Sequence, residues 1–135
     1  CLLIDVDGTL LSRNSNTIPS KVKNWINKSN KIFELYLISN NPSEKRIYKI
    51  GKELGINYEC RAQKPRIKKT LEVINKLNKD NNHIAIIGDR ILTDIIVGNR
   101  CNIKTILVKR LNKKGLPLKF NPTLFLEKFF SLFLF

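Results

Sequence analysis

Cys1-Leu-Leu-Ile-Asp5-Val-Asp7-Gly8-Thr9-Leu10 is the stretch that decides how the rest of this chain is read. Four mostly apolar residues run into Asp5, and a second carboxylate, Asp7, stands directly before Gly8 and Thr9. A short apolar run that ends in a turn signal predicts a buried strand of a parallel sheet. Side chains alternate along a strand, so Asp5 and Asp7 would share a face if it stayed regular. Gly8 predicts a turn instead, which gathers both carboxylates at the strand's C-terminal end. Open α/β sheets bind their ligands at that edge. Two packed carboxylates repel unless a cation or a proton sits between them, so the pair needs partners from elsewhere in the chain. Without partners it is only a solvated acidic turn.

Working outward, residues 11–17 are polar and read as a loop, and Pro19-Ser20 opens a helix with Val22, Trp25 and Ile26 on one face. The run from Ile32 to Ser39 predicts the second strand. Asn41 is a good N-cap, Pro42 suits the first helical position and Glu44 completes a start like a capping box. Ile47, Ile50 and Leu54 give that helix its stripe, and Gly55 stops it. A short strand around Tyr58 to Arg61 follows, then a helix with Ile67, Leu71, Ile74 and Leu77 spaced for one buried face. Ile84 to Ile87 predicts another strand, Thr93 to Arg100 a helix, and Thr105 to Val108 the last strand. The alternation of strand and helix predicts a single α/β domain, a parallel sheet with helices on both faces.

Four segments place polar residues at or after strand ends: Asp5-Val-Asp7-Gly8-Thr9, Leu37-Ile-Ser39-Asn40-Asn41, Lys64-Pro65 and Gly88-Asp89-Arg-Ile-Leu-Thr-Asp94. In that order they resemble the four motifs of the haloacid dehalogenase (HAD) superfamily of phosphohydrolases. In finer detail, Arg61-Ala-Gln-Lys64-Pro65 and Gly88-Asp89 through Thr93-Asp94-Ile95 are similar to its capless subfamily IIIA. That group includes phosphatidylglycerophosphate phosphatases of mitochondria and plastids and their bacterial relatives. Gly8 stands where those usually carry Asn. The resemblance implies a Rossmann-like core of five parallel strands ordered 3-2-1-4-5, which brings Asp5 beside Asp89. Only residues 10–36 and 42–63 separate the first three motifs, room for crossover helices but not for a cap domain. A site without a cap stays open to solvent and takes large substrates or a phosphate presented at a surface.

The resemblance also implies a phosphomonoester hydrolase that works through an aspartyl-phosphate. Asp5 would be the nucleophile, and Asp7 would protonate the leaving oxygen and then take a proton from water. Mg²⁺ would be held by Asp5, the backbone carbonyl of Asp7, Asp89 and waters, a hard oxygen set that suits this ion. Phosphoryl transfer spreads negative charge over the equatorial oxygens, so positioning and positive charge carry the catalysis. Ser39, Asn40, Thr9 and nearby amides would support those oxygens, and Lys64 would bring its ammonium beside them. Asp94 would orient a metal water or Lys64. Taken singly, Ser39 also reads as a capping serine, Lys64 as a solvated lysine and Asp94 as a carboxylate at a helix N-terminus. Arg90 reads either as a substrate contact or as an exposed charge.

The 135 residues contain 25 Lys plus Arg against 11 Asp plus Glu, a formal charge of +14. Such a chain attracts phosphates, nucleic acid or an acidic membrane face. Its sixteen Asn and many Lys also fit a biased genome, and no aromatic-and-basic RNA-reading motif is present. The resemblance implies an anionic lipid phosphate such as phosphatidylglycerophosphate as the preferred substrate, which suits an open site, a basic chain and an apolar tail. A soluble sugar or nucleotide phosphate is the alternative substrate. A catalytically idle RNA- or ribosome-binding module on the same fold is the alternative of another class. Cys1, Cys60 and Cys101 are widely spaced and His83 is the single His, which argues against a zinc site and for thiols in a reducing compartment. Cytoplasm, plastid or mitochondrion fits, with peripheral contact to a membrane. The chain has no Met and opens inside a strand, so an upstream part, including any targeting segment, is expected. Residues 1–108 form the expected core and 109–135 a basic loop and tail, with six of the seven Phe at 120–135. The stretch Leu124 to Phe135 falls short of the ~20 apolar residues of a membrane span, and Glu127 and Lys128 interrupt it. A packed terminal helix, an interfacial anchor and frayed sequence all remain open for it.

Overall fold

Leu2–Ile4 forms β1, the middle strand of a parallel sheet in a computed structural model that describes residues 1–119. In chain order there follow α1 (Ser20–Ser29), β2 (Leu35–Ile38), α2 (Glu44–Leu54), β3 (Asn57–Glu59), α3 (Lys68–Leu77), β4 (Ala85–Gly88), α4 (Ile96–Arg100) and β5 (Lys104–Leu107). The five strands lie in the order β3-β2-β1-β4-β5. Leu3 sits between Tyr36 of β2 and Ile86 of β4, so the C-terminal ends of β1 and β4 are neighbours. This register puts residues 5 and 89, each just past its strand, at one edge.

Both faces of the sheet are buried, which is why its central strands are continuous apolar runs rather than alternating ones. Leu2, Ile4 and Ile87 pack on one side with Val22 and Ile26 of α1 and Ile47 and Ile50 of α2. Leu3 and Ile86 pack on the other with Val73 and Ile74 of α3 and Val97 of α4. Each such side chain contributes about 1.5–3 kcal/mol on burial, so this double core holds the edge residues in place.

The local differences from the sequence reading have physical causes. β2 begins at Leu35, because Ile32 and Phe33 still turn off the end of α1 through hydrogen bonds to the Ser29 carbonyl, and Ile32 is 75% exposed. Trp25 is 41% exposed, not buried with Val22 and Ile26. The N-cap of α2 is Ser43, whose hydroxyl accepts the Arg46 N–H, and Asn41 makes other bonds. Gly55 closes that helix in the left-handed conformation at φ +66°. In α3 the buried residues are Thr70, Val73 and Ile74, with Ile67, Leu71 and Leu77 only partly covered. The helix expected from Thr93 starts earlier, as a π-helical turn over Ile91–Ile95 that leads into α4. Such wide turns gather at functional sites. Beyond β5, Leu111 pairs with Pro117, and its N–H donates to the Gly8 carbonyl at 2.8 Å. The stretch from Leu124 to Phe135 lies outside the described residues. Among the described residues no helix is long and apolar enough to cross a membrane.

Candidate active site

The Asp5 N–H donates to the Ile87 carbonyl at 2.9 Å, so the last bond between β1 and β4 fixes the first carboxylate. The chain then turns sharply. The Val6 carbonyl accepts from Thr9, Leu10 and Leu11, and Gly8 takes φ +96°. A methyl group on Gly8 would run into the Asp89 carboxylate, so glycine serves both the turn and the close approach. The Thr9 hydroxyl donates to Asp5 Oδ2 at 3.3 Å.

Lys64 joins the two halves of the sheet. Its Nζ donates to Asp5 Oδ1 at 2.7 Å, to Asp94 Oδ1 at 2.6 Å and to the Ile38 carbonyl at 2.9 Å. All three ammonium donors are thereby satisfied in a side chain that is 1% exposed. Asn40 holds the backbone beneath it. Its Oδ1 accepts the Lys64 N–H at 2.7 Å, and its Nδ2 donates to the Lys64 carbonyl at 2.8 Å. The Asn40 amide thus grips Lys64. Ser39 is fully buried, and its hydroxyl accepts the Asn41 N–H at 3.1 Å. On the far side Asp94 also accepts the Arg90 N–H at 3.2 Å through Oδ2, so both its oxygens are engaged.

Oxygens of Asp5, Asp89 and Asp94 lie within 4.8 Å of one another, all three residues buried. Against these three carboxylates stand Lys64 and Arg110, whose Nε donates to Asp89 Oδ2 at 2.6 Å. Asp89 Oδ1 is buried with no hydrogen-bond partner among the described residues. Burial raises the Asp89 pKa, and Arg110 only partly offsets it. Burial also pushes Asp5 up to about 7; the Lys64 charge opposes this, and Asp94 and Asp89 reinforce it. For Lys64 burial acts downward, but the Asp5 and Asp94 charges outweigh it and the pKa is raised. The orphaned Asp89 oxygen and an all-oxygen donor set fit a hard divalent cation such as Mg²⁺.

The Asp7 carboxylate belongs to a different constellation. Arg46 on α2 reaches Asp7 Oδ1 with Nη2 at 2.8 Å and donates to Oδ2 with Nη1 at 3.1 Å. Asn41 Nδ2 donates to Oδ2 at 2.9 Å. The small site cavity, ≈ 60 Å³, is lined by Asp5, Asp7, Ser39, Lys64, Asp94 and Arg90 among others. A second cavity of ≈ 450 Å³ borders Thr9 and is mainly apolar, walled by Leu10, Val22, Trp25, Val108 and Leu111 with Lys21 and Lys109.

The structure therefore brings together Asp5, Thr9, Lys64, Asp89 and Asp94, with Ser39 and Asn40 beneath and Asp7 beside them. Sequence reading gave no role to Arg46 or Arg110, and it gave Asn41 a capping role where its amide instead holds Asp7. Arg46 stands 39 positions from Asp7 and Arg110 stands 21 from Asp89. No local spacing signals either pair. Only the adjacency of β1 to β2 and of β4 to β5 could have pointed to them.

The profile of HAD-hydrolase-like proteins matches residues 62–129. The protein named "Probable phosphatase YqeG" of Bacillus subtilis (strain 168) is 28% identical over 108 residues, 79% of this chain. The chain spans 62% of that relative's length. Among solved structures, an uncharacterized protein from Listeria monocytogenes serotype 4b superposes with a TM-score of 0.68 at 19% identity, over 90% of this chain and 86% of that one. The candidate HAD-hydrolase YfnB of Bacillus subtilis, bound to magnesium, superposes with a TM-score of 0.61 at 20% identity, over 76% of this chain and 51% of its own. Both likenesses speak for the fold.

Proposed function

Because this chain belongs to the HAD-hydrolase-like family, we propose that it hydrolyses phosphate monoesters through an aspartyl-phosphate on Asp5. The observation that carries this reading is the buried Asp5–Lys64–Asp94 bridge beside Asp89, which couples a carboxylate nucleophile to a fixed cation. A buried lysine held by two carboxylates and a carbonyl is costly unless its placement serves a purpose.

An Asp5 oxygen attacks phosphorus as the ester P–O bond breaks, and the leaving oxygen takes a proton from Asp7. Water then attacks the same phosphorus, Asp5 departs as carboxylate, and the water's proton passes to Asp7. Each step forms one P–O bond and breaks one, and Asp7 ends as it began. Thr9 and Lys64 orient the Asp5 carboxylate, while Asn40 and Asp94 fix Lys64. Mg²⁺, held by Asp5, Asp89 and the Asp7 backbone carbonyl, would supply positive charge that offsets the phosphoryl oxygens and favours ionised Asp5.

For substrate we favour an anionic lipid phosphate. In support, single helices cross between the first strands, with no inserted domain among the described residues. The chain carries a formal +14, and an apolar cavity flanked by Lys21 and Lys109 adjoins Thr9. A phosphate-release screen with Mg²⁺ tests this: phosphatidylglycerophosphate in vesicles against glycerol 3-phosphate, a sugar phosphate and a nucleotide. Faster turnover of the vesicle substrate supports the lipid reading; preference for a soluble phosphate replaces it, with the phosphatase reading kept. No release from any of them would favour an idle fold.

A further inference from the structure

All three nitrogens of the Arg46 guanidinium are engaged. Besides its two contacts with Asp7, its Nε donates to Asn16 Oδ1 at 3.2 Å and its Nη2 to the Ser15 carbonyl at 2.8 Å. It therefore ties the first turn of α2 to the polar loop that follows the Asp7–Thr9 turn. A planar, rigid fork of donors suits this task, and an ammonium could not span the same partners. The two Asp7 oxygens are treated differently. Oδ2 accepts from both Arg46 Nη1 and Asn41 Nδ2. Oδ1 lies 2.8 Å from Arg46 Nη2 but is buried without an aligned hydrogen bond. One oxygen is thus anchored twice and the other is held against the guanidinium, out of contact with solvent.

We propose that Arg46 is a positioning residue which fixes the Asp7 carboxylate as the base toward the water that cleaves the aspartyl-phosphate. The inference rests on the phosphatase reading above and extends it to a residue outside the four motif segments. Arg46 does not line the small site cavity, whereas Asp7 does, so it acts through Asp7. In the step concerned, the water oxygen bonds to phosphorus, the bond from phosphorus to Asp5 breaks, and the water's proton moves to the Asp7 carboxylate. Loss of Arg46 leaves Asp7 held by Asn41 alone and its orientation less fixed, so the second half-reaction slows more than the first.

The test is rapid-quench kinetics with p-nitrophenyl phosphate and Mg²⁺, because the nitrophenolate needs little protonation to leave. In Arg46→Gln the first step proceeds while dephosphorylation slows about a hundredfold, the bottom of the range for a positioned base. A burst of about one equivalent of nitrophenolate per enzyme then precedes a slow steady state. Arg46→Lys keeps the charge without the fork and shows the same burst with a smaller slowing, so the test stands even if the Gln variant folds poorly. Asp7→Asn is the comparator. A burst in Asp7→Asn with none in either Arg46 variant overturns the role of Arg46 and leaves the phosphatase reading intact. No burst in Asp7→Asn removes Asp7 as the base, and the inference falls with it.

Discussion

Lys64 and Asp94 form an ion pair at 2.6 Å in which each side chain is 1% exposed. They come from opposite ends of the site: Lys64 follows β3 and Asp94 lies in the turn after β4. Asp5 completes the bridge from the end of β1. This one ammonium therefore connects three separate strand ends, and removing it leaves two buried carboxylates without their cation.

Replacing Lys64 with Met keeps the approximate length of the side chain and removes the charge. Breaking one partner of a buried ion pair costs about 3–5 kcal/mol. Urea unfolding of Lys64→Met should show a loss of that order, together with loss of phosphate release. A variant as stable as the parent would mean that the bridge contributes nothing to the fold.

Gly88→Ala should damage the same bridge from below. A methyl group there would collide with the Cβ and carboxylate of Asp94, which belongs to the π-helical turn. Overpacking of this kind costs about 1–3 kcal/mol, and it displaces Asp94 from Lys64. The expected result is a lowered melting temperature and a larger proportional loss of activity. A far smaller change than this would show that the turn yields without strain.

Without a divalent cation, the raised pKa of Asp5 gives stability a definite dependence on pH. Its folded value is about 7 against an ordinary 3.8. The folded state binds the proton more tightly, so this contribution is fully present below pH ~4 and is lost as pH rises through ~7. The raised Lys64 pKa acts only above its ordinary value of 10.5, outside this window. Mg²⁺ competes with the proton for the same carboxylates, so it should raise the melting temperature more at pH 8 than at pH 5. Thermal melts with and without Mg²⁺ at both values check this, and equal shifts would place the ion elsewhere.

The sheet was legible because its central strands are apolar runs ended by turn signals, and each run needs burial on both faces. The carboxylates Asp5, Asp89 and Asp94 were legible because they follow such runs at the edge where the strands end. What lay hidden was how side chains divide their hydrogen bonds. Asn40 reads as a substrate contact, yet its amide grips the Lys64 backbone. Asn41 reads as a helix cap, yet its amide nitrogen holds Asp7 while its oxygen accepts the Ser43 N–H at 2.9 Å. Arg46 and Arg110 are two among 25 basic residues, and only tertiary structure distinguishes them. Trp25 has helical spacing for the core but borders the apolar cavity, a difference that periodicity does not encode.

The central claim is that Asp5 takes the phosphoryl group. Acid-quenching the enzyme during turnover of p-nitrophenyl phosphate with Mg²⁺, followed by peptide mass spectrometry, measures this directly. Nucleophilic attack by Asp5 predicts a phosphoryl adduct on that residue, absent in Asp5→Asn, which should also lose turnover while keeping its far-UV circular dichroism. Turnover that survives in Asp5→Asn, or an adduct on any other residue, would contradict it.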